Sequence, residues 1–110
     1  MRFDDELEFF RHTTEEMNEL FLKKRMAYGA TTTETYQKFG PVSMLTRMHD
    51  KIGRLDNLLI FAGKNDLDES VRDTLMDLAN YAIIMLLEMT KNELEKHALQ
   101  PEVDNTQRRY

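Results

Sequence analysis

Residues 68–97 read DESVRDTLMDLANYAIIMLLEMTKNELEKH, and they decide the fold. Between Leu75 and Met89 every residue is apolar or aromatic except Asp77, Asn80 and Glu88. No glycine or proline interrupts the run, and its Leu, Met and Ala residues are strong helix formers. Asp68 suits the capping position, Glu69 is favourable in the first turn, and Gln100-Pro101 stops the helix. A helix of roughly 28 residues spans about 42 Å. A compact domain of this chain length has a radius of gyration of about 13 Å, hence a diameter of roughly 34 Å. A helix that is apolar on most sides must be covered on most sides. Two further helices of one small chain do not achieve that easily, so a homodimer or homotetramer is expected.

Outward from this helix, GKNDLD is a short turn-like link, and the residues before it carry a second stripe. Leu45, Met48, Ile52, Leu55, Leu59 and Ala62 predict a helix over about 42–62, with Pro41 well placed at its start. The Thr-rich stretch ATTTETYQKFGP reads as a loop with room for one short helix. Before it, Phe3, Leu7, Phe10, Thr14, Met17, Phe21, Lys24 and Tyr28 recur at spacings of three and four, which predicts a helix over about 4–27. Gly29 is a natural stop for it. Residues 101–110 read as a polar tail. The expected fold is all-α, a single domain over 1–100 with three long helices at about 4–27, 42–62 and 68–97, completed as a bundle by oligomerisation.

Composition agrees with that class. Charged residues make up 32% of the chain with both signs intermixed, and only two prolines and four glycines punctuate it. There is no cysteine, which excludes disulfides, thiolate metal sites and a cysteine nucleophile. The opening MRFDDELEFF is acidic where a secretory signal would be basic, and no apolar run reaches the length of a bilayer span. A cytoplasmic protein with no membrane partner is expected. A net charge of −5 disfavours duplex nucleic acid, whose binding needs a concentrated basic face, while a single nucleotide needs only a few local cations.

Three groups of polar residues stand where the pattern asks for apolar ones. Lys24 falls on the apolar seam of the first helix, either snorkelling at the helix end or held inward to meet phosphate. On the third helix Glu69, Asp73, Asp77 and Asn80 lie within about 80° of arc at 100° per residue. Burying an unpartnered carboxylate costs several kcal/mol, so Asp77 must meet a cation, a metal or a dense hydrogen-bond set. An ion pair with an arginine of the second helix would satisfy it without any ligand. On the second helix Arg47, Asp50, Lys51, Arg54 and Asn57 share a face that ends in apolar Leu58 and Phe61. If that face opposes the acidic stripe, cations for phosphate oxygens and carboxylates for Mg²⁺ share one cleft, as a nucleoside triphosphate requires. The Glu16–Glu19 pair points to the polar side of its helix, and His12, His49 and His97 lack metal-ligand spacing.

The segments KKRMAYG, RMHDKIGRLDNLL and DESVRDTLMDLANYAII, in this order, resemble the nucleotide modification associated domain 1 family, small proteins of phages and bacteria. That resemblance covers about Lys24 to Ile84 and implies a nucleotide ligand. The layout also resembles the MazG-type all-α nucleotide pyrophosphohydrolases, which cleave a nucleoside triphosphate to monophosphate and pyrophosphate with Mg²⁺ held by acidic motifs on two helices. The likeness implies Glu69, Asp73 and Asp77 as catalytic metal ligands, joined by Asp50, with Mn²⁺ able to replace Mg²⁺. It implies Lys24, Arg47, Lys51 and Arg54 on the phosphates, with Asn80 orienting the ligand. Lys51 and Arg54 stand where the first acidic motif of that family would be, so either Asp50 and a glutamate of the first helix complete the metal site or the phosphates are bound directly, and the departure favours a non-catalytic binder. Three functions follow: a pyrophosphohydrolase, a non-catalytic nucleotide binder, and a helical interaction module without a small ligand.

Overall fold

A computed structural model describes residues 1–99; of these 87% are helical, with no strand among the described residues. The order is α1 (Phe3–Tyr28), α2 (Thr31–Phe39), α3 (Val42–Leu55), a π-helical segment (Asp56–Phe61) and α4 (Glu69–Leu99). The chain is all-α, and the short helix α2 falls in the Thr-rich stretch. The polar tail expected at 101–110 lies outside the described residues. No described helix is long and apolar enough to cross a membrane.

Each boundary has a local cause. The Arg2 amide donates to Asp5 Oδ2 at 3.2 Å, and Asp4, Asp5 and Glu6 place negative charge at the positive end of the α1 dipole. α1 ends where Gly29 takes φ 65° and its N–H donates to the Arg25 carbonyl at 2.8 Å. α2 closes the same way on Gly40, with φ 74° and an N–H bond to the Tyr36 carbonyl at 2.6 Å. Pro41 then presets φ at −57° for the start of α3. Asp68 caps α4: its Oδ1 accepts from the Val71 amide at 2.9 Å and the Ser70 hydroxyl at 2.8 Å, and its Oδ2 pairs with Lys64.

The apolar stripe read over 42–62 is carried by two kinds of helix. After Leu55 the ladder widens, and the Ala62 N–H reaches back five residues to the Asn57 carbonyl at 2.8 Å. A π turn holds more residues than an α turn, which shifts the faces of Leu58–Phe61 relative to those of α3. Of the stripe residues Leu55 is buried, while Leu45, Ile52 and Leu59 are exposed, as are Ile60 and Phe61.

The chain divides into two compact units, residues 1–34 and the residues from Thr35 onward. In the first, the surface of α1 is laced by Arg11, which bonds Glu8 at 2.5 Å and Glu15 at 3.4 Å. That contact holds the Glu8 carboxyl below its usual range and raises Arg11. In the second, α3 packs on α4 around Met44, Leu55 and Val71, with Tyr36 also buried. Thr74, Asn80 and Glu88 are buried polar residues of α4. Leu75, Ile83, Leu86 and Met89 of α4, and Phe3, Leu7 and Phe10 of α1, are exposed.

Candidate functional site

Three contacts tie α3 to α4. The Arg54 Nε donates to Thr74 Oγ1 at 3.1 Å, Lys51 Nζ lies 3.2 Å from Asp77 Oδ2, and the Arg47 guanidinium sits 6.0 Å from the Tyr81 ring centroid. In each pair the residue numbers add to 128, so the two helices run antiparallel in a single register. Positions 47, 51 and 54 face 81, 77 and 74, and steps of three and four are those of a seam between packed helices. Seam positions are ordinarily apolar. The same register would set Ile84 opposite the fully buried Met44, while the rungs at 47, 51 and 54 each carry a cation.

Lys51 and Arg54 of α3, with Glu69, Asp73, Thr74 and Asp77 of α4, line a cleft of about 380 Å³. That volume lies in the range of small-molecule sites, about 300–1,000 Å³. Two cations against three carboxylates leave it with a net charge of −1. The Lys51 and Asp77 side chains are 26% and 24% exposed, so their pair is mostly shielded from water and firmer than a surface ion pair. Thr74 holds the other cation in place: its hydroxyl donates to the Ser70 carbonyl at 2.6 Å and accepts from Arg54.

The residues singled out in the sequence are thus distributed unevenly. Lys51, Arg54, Glu69, Asp73 and Asp77 meet in the cleft. Arg47 is one rung away against Tyr81. Asp50 is exposed on α3 and is not among the lining residues. Lys24 is half-buried on α1 in the first unit. Asn80 is 6% exposed, and its Nδ2 has no hydrogen-bond partner among the described residues. An unsatisfied buried donor is rare enough to ask what satisfies it. The cation that meets Asp77 is Lys51, where the ligand-free alternative named an arginine of the same helix. Thr74 and Glu88 were missed by sequence reasoning. Their signal was present, since 74, 77, 81, 84 and 88 step by four and three, but the opposing register cannot be read from one helix.

No group of three His, Asp or Glu side chains among the described residues stands close enough to hold a metal, and the Lys51 ammonium occupies one oxygen of Asp77. What the cleft offers is a pair of fixed donors beside acceptors, suited to a ligand carrying both anionic oxygens and hydrogen-bond donors.

The profile of the nucleotide modification associated domain 1 family matches residues 28–89, more than half of the chain. The match takes in α2, α3, the π-helical segment and α4 as far as Met89, and therefore every residue that lines the cleft. No curated protein and no solved structure matches the chain. By the extent of that match, this chain belongs to the nucleotide modification associated domain 1 family.

Proposed function

We propose that the chain binds a (deoxy)nucleotide by its phosphates in the α3–α4 cleft. Lys51 and Arg54 supply the charge-assisted donors, and Asn80 supplies a buried amide that orients the ligand. The observation that carries this reading is the polar seam itself. Two cations and a shielded carboxylate occupy positions where Leu or Ile would pack two helices more stably. Such a seam is a poor device for stability, and a good one for holding a phosphate-bearing ligand. Arg47, one rung along α3, belongs to the proposal as a further cation for the phosphates. The Lys51–Asp77 pair would open so that the ammonium exchanges a carboxylate for a phosphate oxygen at little change in solvation.

The second reading is hydrolysis of a nucleoside triphosphate to monophosphate and pyrophosphate. It is favoured by Glu69, Asp73 and Asp77, which follow one another at intervals of four on one face of α4 and all line the cleft. A divalent cation, Mg²⁺ or Mn²⁺, enters that reading as the companion of the triphosphate. Two copies of the chain are part of both readings.

A panel of common ribo- and deoxyribonucleoside triphosphates, titrated first in a chelator and then with Mg²⁺ or Mn²⁺, tests both. Binding in chelator without pyrophosphate release supports the binder. Metal-dependent release that Asp77→Asn abolishes establishes the hydrolase. A chain that binds no nucleotide in either condition refutes both.

A further inference from the structure

Gly40, in the turn between α2 and α3, and Glu88 of α4 both line a second cleft of about 570 Å³. Gly40 carries no side chain into it, and a Cβ placed there would meet nothing within 4 Å. Across from it Glu88 is 2% exposed, with its carboxylate 3.1 Å from Lys91 Nζ. A carboxylate buried at a helix seam costs desolvation that an apolar residue would not incur. Here it is held in a fixed position at the base of an open cleft.

The other walls of this cleft fit one kind of ligand. Gln37 and Asn92 offer exposed carboxamides, each with donors and an acceptor, and the buried ring of Tyr36 and the thioether of Met89 supply apolar surface. Both of its lysines are paired with its own glutamates, Lys91 with Glu88 and Lys96 with Glu93, whereas Arg54 of the first cleft bonds the neutral Thr74, so a phosphate is favoured there and not here. Carboxamides pair with the adenine-type edge, and carboxylates accept from the amino group of cytosine. We propose that the second cleft takes a nucleobase bearing an amino group, with Asn92 and Gln37 reading its edge and the Glu88–Lys91 pair fixing the floor. The inference rests on the nucleotide reading and extends it from phosphate to base. Along α4 the clefts lie about 16 Å apart from Asp77 to Glu88, at 1.5 Å per residue.

Calorimetric titration of the full chain with cytidine, adenosine and uridine, and separately with pyrophosphate, tests it. Cytidine or adenosine is expected to bind roughly tenfold more tightly than uridine. Asn92→Ala and Gln37→Ala, both at exposed positions, should bring that ratio toward unity and leave pyrophosphate affinity unchanged. Lys51→Ala should do the reverse. Nucleosides that do not bind, or a base preference that survives both variants, would overturn the inference even where pyrophosphate binds. Loss of pyrophosphate binding alone would strike at the phosphate site and leave the base cleft standing. A nucleoside and pyrophosphate that bind together, and that a nucleotide displaces together, would show one ligand spanning both clefts. Displacement of pyrophosphate alone would mark a separate nucleoside.

Discussion

Lys51 and Asp77 stand at the centre of the account, and their pairing explains why the site was half legible. That Asp77 needed a counter-charge followed from its place in an apolar run; which residue supplied it depended on the register of α3 against α4. Arg47 faced the same ambiguity and resolved onto the Tyr81 ring. Asp77→Asn keeps shape and hydrogen bonding but leaves a mostly shielded ammonium unpaired, so unfolding free energy should fall by about 1–2 kcal/mol. Denaturant titration measures this directly. A loss above about 4 kcal/mol would make the pair a fold determinant and not a ligand site. Asn80→Leu provides the opposite test. Its Nδ2 is buried without a hydrogen-bond partner among the described residues, and removing an unsatisfied buried donor in favour of an apolar group of similar size should be near neutral or stabilising. Nucleotide affinity should drop in the same variant. A clear loss of stability would mean that Asn80 holds the fold.

At the scale of the elements, the helices were visible because their causes are local. Gly29 and Gly40 adopt positive φ where the chain leaves α1 and α2, and Asp68 caps α4 through the Val71 amide. The π-helical segment was not visible, since Leu58–Phe61 continue an apolar run whichever ladder they form. The Asp68 cap carries a pH prediction. The Lys64 ammonium, the Val71 amide and the Ser70 hydroxyl hold its carboxyl well below the usual carboxylate range, while Asp68 in turn raises Lys64. A carboxyl whose folded value is depressed contributes stability above its unfolded value, and that stability is lost as pH falls through the folded one. Its partner lysine contributes below the ordinary lysine range and loses that contribution as pH rises through the raised value. The thermal midpoint should therefore decline below about pH 4, less steeply in Asp68→Asn, which keeps a cap but carries no charge. Asp68→Ala should lower the midpoint at neutral pH by roughly 4–8 °C. Packing gives a harder test. Met44 is 1% exposed where α3 packs on α4, so Met44→Ala should cost about 2–5 kcal/mol.

At the scale of the whole molecule, the long helix that set the fold also poses its main demand. Ile83 and Leu86 of α4 are 51% and 66% exposed, and Phe3 and Phe10 of α1 are each 71% exposed. Side chains of this size in such number ask for a cover, and a second copy is the cover proposed here. Sedimentation equilibrium should return a dimer or tetramer, and a monomer at all concentrations would refute that part. The all-α class was readable from composition and from period alone. The site was readable as a set of residues but not as an arrangement, because the α3–α4 register arises from packing that no single helix encodes. The most direct test of phosphate recognition is calorimetric titration of pyrophosphate into the wild-type chain and into Lys51→Ala and Arg54→Ala. Saturable binding by the wild type, weakened roughly tenfold or more in each variant, is the predicted result. Equal affinity in all three, or no binding by the wild type, would contradict it.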